Sequence, residues 1–208
     1  MGSFFVGMNA EPIPAVSRWF GATFSALHPL LQNLHLCGGS LAGSVDIHIG
    51  RGIGRFFGVA LARQFSIPAI PTVSGSHPFA VTIFHAADGL HWHRRFGGHT
   101  EKKEIKEVKS LFVPVGTLAD GYWIETNGSV RLALTVDIVD GGWYWRCLKI
   151  WLYGVRMPLC LMPKTTAFKR VEQGRYRFFV GFSLPLFGTV LSYGGLLDAV
   201  IAAAPRDV

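Results

Sequence analysis

The sequence predicts an α+β protein dominated by β structure. The expected form is a long antiparallel meander curled into a barrel or half-barrel, with two N-terminal helices packed on it or capping it. Three observations point there. Turn signals at Asp88-Gly89, Asp120-Gly121, Asn127-Gly128, Asp140-Gly141-Gly142 and Gln173-Gly174 each separate apolar runs of strand length, the pattern of successive hairpins. Several of those runs alternate: Val130, Leu132, Leu134, Val136 and Ile138 in one, Tyr176, Phe178, Val180, Phe182 and Leu184 in another. Helical spacing is confined to two segments before residue 66. A sheet this long accumulates twist and tends to curl or close, because open edges invite aggregation.

Taken in order, residues 1–16 read as a loose leader, since Pro12 and Pro14 block regular structure. Ser17 is a plausible N-cap for a helix reaching about His35, with Trp19, Phe20, Phe24, Leu27, Leu31 and Leu34 on one face. Pro29 should kink it or split it in two. Residues 41–49 alternate as a strand. The glycine-rich Gly50-Arg51-Gly52-Ile53-Gly54-Arg55 then opens a second helix. Its apolar face is Ile53, Phe56, Phe57, Ala60, Leu61 and Phe65, with Arg51, Arg55 and Arg63 opposite and Pro68 and Pro71 beyond its end. Residues 17–197 read as a single domain and 198–208 as a C-terminal tail. The uncharged stretch 178–197 is long enough to cross a bilayer as a helix, but Pro185 and four glycines make it strand–turn–strand.

Composition narrows the function classes. Half the residues are hydrophobic and 16% are charged, with sixteen Phe, six Trp and five Tyr. That aromatic surplus suits either a thick β core or a ligand cavity. A net charge of +7 and a pI near 9.6 favour anionic partners. The basic residues are scattered and no basic motif interleaves with aromatics, so no nucleic acid is expected. Cys37, Cys147 and Cys160 are odd in number and lack a CxxC pair, as in a reducing compartment. With no signal-peptide pattern, a failed myristoylation pattern at Val6 and no stable membrane insertion expected, the protein reads as cytoplasmic.

The most informative stretch for chemistry is residues 91–96. On a strand, Trp92, Arg94 and Phe96 share one face, and His91, His93 and Arg95 the other. If the aromatic face is interior, Arg94 enters the core and needs a carboxylate, for which Glu125 or Asp137 is available, or an anionic ligand to grip. His91 and His93, with His85 and His99 nearby, raise a metal question, but no further spaced ligand cluster supports one, and none is assigned. The Gly50-x-Gly-x-Gly turn misses the dinucleotide fingerprint, because Arg55 stands where the third glycine belongs. No cofactor is expected. What survives is a helix N-terminus with Arg51 and Arg55, a generic anion seat or simply a tight turn. His28 and His35 fall near one helix face, and either is a general base if that helix lines a cavity; packing residues are the plainer reading.

The ordered set Leu27-His28-Pro29, Gly50-Arg51-Gly52-Ile53-Gly54, Trp92-x-Arg94-x-Phe96, Glu125-x-x-Gly128, Leu184-Pro185-Leu186-Phe187-Gly188 and Tyr193-x-Gly195 resembles the bacterial DUF4166 family across residues 19–197. The resemblance implies no defined activity and no catalytic set. Members fused behind saccharopine-dehydrogenase-like nucleotide-binding domains hint at small-molecule metabolism and at an NAD-dependent enzyme as partner. The family-like positions are His28, Arg51, Trp92, Arg94, Phe96, Glu125 and Tyr193. The charged stretch 101–109 and the extra His91 and His93 depart from the pattern.

Two functions follow as expectations. The first is binding of a hydrophobic or amphipathic small molecule (lipid-, polyketide- or terpene-like, with an anionic end allowed) inside the barrel. Trp92, Arg94, Phe96, Arg51, Arg55 and Tyr193 are its contacts. The second is a cofactor-independent isomerase or cyclase in the same pocket, with His28, Glu125 and Arg94 as its catalytic candidates. A purely structural partner domain is a third, weaker reading, and a homo-oligomer is compatible with all three.

Overall fold

The computed structural model describes residues 15–64, 75–97 and 106–202. Its strands are β1 (Gly39–Ile49), β2 (Gly75–Ala86), β3 (Gly89–Phe96), β4 (Lys106–Val115), β5 (Tyr122–Asn127), β6 (Val130–Val139), β7 (Gly142–Leu152), β8 (Val155–Met157), β9 (Lys164–Glu172), β10 (Arg175–Leu184) and β11 (Gly188–Ile201). The sheet order is β6-β5-β4-β3-β2-β1-β11-β10-β9-β7-β8, and β6 also pairs with β7. That last pairing closes ten strands into a barrel and leaves β8 as a hairpin arm on β7. Every pairing is antiparallel. The expected meander is therefore present, joined to itself by β1, which pairs with both β2 and β11.

Tight turns are made where the dipeptides predicted them. Asp140 and Gly141 both take positive φ (48° and 73°), as do Gln173 and Gly174 (52° and 74°), the backbone of hairpin turns that match strand twist. The stretch 178–197 is β10, a turn and β11. Among the described residues no helix is long and apolar enough to cross a membrane. The domain runs slightly past the expected boundary, because β11 continues to Ile201.

The ring closes unevenly. Ten residue pairs join β6 to β7, but only three, Trp143 with Lys169, Tyr144 with Phe168 and Trp145 with Ala167, join β7 to β9. Below that short seam the two strands diverge, and β7 turns its free edge to β8.

One end of the barrel is plugged. The expected helix over 17–35 is two short ones, α1 (Ala15–Phe20) and α2 (Pro29–Cys37), linked by a 3-10 segment over Gly21–Ala26. Ser17 lies inside α1 and so is not its cap. Pro29 starts α2, where its missing N–H costs nothing, and the His28 Nδ1 caps it by accepting from the Leu30 N–H at 3.1 Å. Trp19, Phe20, Leu27, Leu31 and Leu34 are all buried. The Trp19 indole donates to the Val115 carbonyl at 3.2 Å, and the His28 N–H donates to that of Gly141 at 2.9 Å.

At the other end lies α3 (Ile53–Gln64). It begins against β11, and its last residue, Gln64, donates to the Ser129 hydroxyl at 2.7 Å. Ser129 is in the β5–β6 turn, five strands from β11 in a ring of ten, so α3 spans the mouth. At about 1.5 Å per residue twelve residues reach about 18 Å, enough for that crossing. Its seating corrects the periodicity reading. The buried residues are Gly54, Gly58 and Ala62, while Ile53 and Phe56 are 64% and 74% exposed. A Cβ on Gly58 would stand 2.0 Å from the Val190 carbonyl oxygen. Close backbone approach, not apolar area, selects the face that packs. Phe65, Pro68 and Pro71 of that reading lie outside the described residues, as does His99.

Candidate functional site

Period-2 geometry puts Leu90, Trp92, Arg94 and Phe96 of β3 inside the barrel, as the alternation predicts. The interior is aromatic: Trp123, Trp143, Tyr176 and Phe96 are almost fully buried. They do not fill it. An upper cavity of about 60 Å³ lies beneath the plug and a lower one of about 90 Å³ lies towards α3. Each is several times the roughly 10–15 Å³ that one water needs. Arg94, Phe112, Trp145, Ala167, Val180 and Tyr193 line both cavities. Arg94 and Tyr193 thus stand at the waist between them.

Arg94 has the partners that a buried guanidinium requires. It donates to the Ser110 hydroxyl at 2.7 Å and lies 3.6 Å from a Glu125 carboxylate oxygen, with both side chains about 15% exposed. Of the two carboxylates foreseen, Glu125 is the partner. Asp137 faces outward and pairs with Arg146 at 3.1 Å. Burial raises the Tyr193 phenol above its ordinary range, partly offset by Arg94, so Tyr193 stays protonated. Cys147, on the lower cavity, is pushed up to about 11 by burial and is a thiol at neutral pH.

The upper cavity holds a group that the sequence did not single out. Lys169, on β9, is 4% exposed, and no carboxylate lies within ion-pair reach of it among the described residues. Its Nζ donates to His35 Nε2 at 2.6 Å and lies 3.7, 4.6 and 5.3 Å from the ring centres of Trp143, Trp92 and Trp145. The other nitrogen of His35 donates to the Leu31 carbonyl at 2.7 Å. A carbonyl can only accept, so Nδ1 carries the proton and Nε2 is free to receive one. His35 is fully buried and stacked on Trp143 with centroids 4.7 Å apart. Burial first, then the nearby Arg94, hold the Lys169 amine well below the ordinary lysine range, against a smaller upward pull from the Glu125 carboxylate. Burial and Lys169 likewise hold His35 down. The indole N–H groups of Trp123 and Trp143, both on this cavity, are buried without an acceptor among the described residues, and such a donor costs about 1–3 kcal/mol.

The structure therefore gathers Trp92, Arg94, Phe96, Glu125 and Tyr193 in one interior. It does not bring the others there. His28 is exposed and serves as the α2 cap, which removes it from either cavity. Arg51 and Arg55 are exposed at the start of α3, on the outside of the mouth. Of the two helix histidines considered, His35 is the interior one. His91 pairs with Asp88 at 2.7 Å on the outer face, and among the described residues no group of three His, Cys, Asp or Glu is arranged to hold a metal.

Fold and site together define the class: a closed antiparallel barrel, covered at both ends, whose aromatic interior carries Arg94 beside Glu125 and Lys169 beside His35. The model of the DUF4166 family, a domain of unknown function, matches residues 27–197, most of the chain, and the protein belongs to that family. No curated protein matches the chain.

Proposed function

We propose that the barrel interior binds a small hydrophobic or amphipathic molecule whose polar end meets Arg94. The observation that carries this is the position of Arg94 at the waist of two apolar cavities, with Glu125 at 3.6 Å, longer than a close charged hydrogen bond. A guest's carboxylate or other acceptor has a fixed, water-poor donor there, and aromatic walls supply the apolar contact. The modest cavities favour a compact guest over a long acyl chain. A second reading, a cofactor-independent isomerase or cyclase, draws support from Glu125 on the lower cavity, where it is placed to move a proton on a bound guest. His28, Arg51 and Arg55 have no part in either reading.

Native mass spectrometry of freshly purified protein is expected to reveal a retained small molecule. Titration with cinnamate, a one-ring carboxylate, is expected to show binding that Arg94→Met weakens about tenfold or more. Cinnamate bound equally well by both proteins would remove Arg94 from the site. Glu125→Gln separates the two readings: turnover lost with binding kept supports the enzyme.

A further inference from the structure

Lys169 is the buried titratable group that this reading leaves idle. It is an amine inside a cavity, with no carboxylate in ion-pair reach among the described residues, hydrogen-bonded to an imidazole nitrogen that can take a proton, and walled by three indoles. An unprotonated lysine in a dry apolar pocket is a carbonyl nucleophile. A purely structural lysine would be expected to reach a carboxylate or snorkel to solvent, and this one does neither. Two buried indole N–H donors on the same cavity lack acceptors among the described residues, which suits an oxygen-bearing guest.

We propose that Lys169 is an imine-forming amine, taking an aldehyde or ketone carried by a small, mainly apolar molecule in the upper cavity. The inference rests on the binding reading above and names its ligand chemistry. The Lys169 lone pair attacks the carbonyl carbon and forms the C–N bond, and the π pair moves to oxygen. His35 Nε2 takes a proton from the nitrogen and passes it to that oxygen. Both amine protons end on the departing oxygen, which leaves as water as the C=N bond forms. Aldehyde and amine give imine and water, and no oxidant or reductant is consumed. The Leu31 carbonyl keeps the His35 tautomer correct for this transfer.

The test uses the full chain with cinnamaldehyde and sodium cyanoborohydride near neutral pH, the adducts being located by peptide mapping. Lys169 is expected to be labelled about tenfold or more faster than the exposed Lys109 and Lys164, because burial favours the uncharged amine. Lys169→Met is expected to lose that adduct and still bind cinnamyl alcohol, which cannot form an imine. His35→Asn is expected to slow labelling and shift its pH profile, with alcohol binding kept. Labelling of Lys169 no faster than Lys109 and Lys164, in wild-type protein that binds cinnamyl alcohol, would overturn the imine and leave the binding reading standing. Protein that binds neither the alcohol nor the aldehyde would overturn both.

Discussion

Arg94 and Lys169 are two basic side chains inside one barrel, and both approach the same ring: their nitrogen-bearing ends lie 5.6 and 4.6 Å from the centre of Trp92. They are handled in opposite ways. Arg94 comes with Ser110 and Glu125; Lys169 comes with an imidazole and three indoles. A guanidinium cannot give up its proton, so its burial demands a carboxylate. An amine escapes the same demand by releasing its proton, at a cost set by its pKa. The waist of the barrel accordingly carries an ion pair, and the upper cavity a lysine whose burial favours its uncharged form.

That contrast can be broken from several sides. The largest effect is expected from Glu125→Leu, which strands the Arg94 charge and should cost about 3–5 kcal/mol in urea unfolding. Lys169→Met strands no charge; it leaves only His35 Nε2 without its donor, and should cost about 1–2 kcal/mol. A comparable loss in both variants would mean that the amine is held by more than its hydrogen bond to His35.

The pH dependence sharpens the same point. The folded pKa of Lys169 lies well below its ordinary 10.5, so in the window between the two the unfolded chain binds the extra proton. Stability therefore rises with pH in that window, by up to about 1.4 kcal/mol per unit from this group. Lys169→Met should flatten that slope in the pH range just below 10.5. His35, also depressed from 6.5, should make the wild type lose stability as pH falls below that value. A smaller effect, about 0.5–1 kcal/mol with no change in ligand binding, is expected for His28→Ala, which removes a helix cap. The smallest is Asp137→Asn: the outward Arg146 pair is solvated, and the unfolding midpoint should not move.

The paired half of the site was legible and the neutral half was not, for a physical reason. The residues 91–96 alternate cleanly, so two-residue periodicity put Trp92, Arg94 and Phe96 on one face, and a buried arginine announced its need for an acid. On β9 the same rule misleads. Its largest apolar residue is Phe168, which suggests an inward face, but Phe168 stacks outside with Tyr144 and Phe179. The inward row is Ala167 and Lys169. An outer aromatic patch hides the interior side of that strand, and a lone lysine announces nothing. The α3 misreading has the same root. Its phenylalanines give a stripe of period 3.6 only when size is counted, whereas the contact needs the smallest side chains, Gly54, Gly58 and Ala62. Hairpin positions, being fixed by local backbone chemistry, were largely readable, although the Tyr153-Gly154 turn between β7 and β8 was not among those read.

The short seam between β7 and β9 gives the molecule a preferred place to part. Breaking three rungs there opens the ring, and Lys169 itself forms one of those rungs with Trp143, the pair that also holds His35 of the plug. Whatever attaches to that amine is thereby bonded to the clasp of the barrel. Amide exchange along Trp143, Tyr144 and Trp145 should consequently slow when the amine is occupied, a readout of ligation that needs no knowledge of the guest.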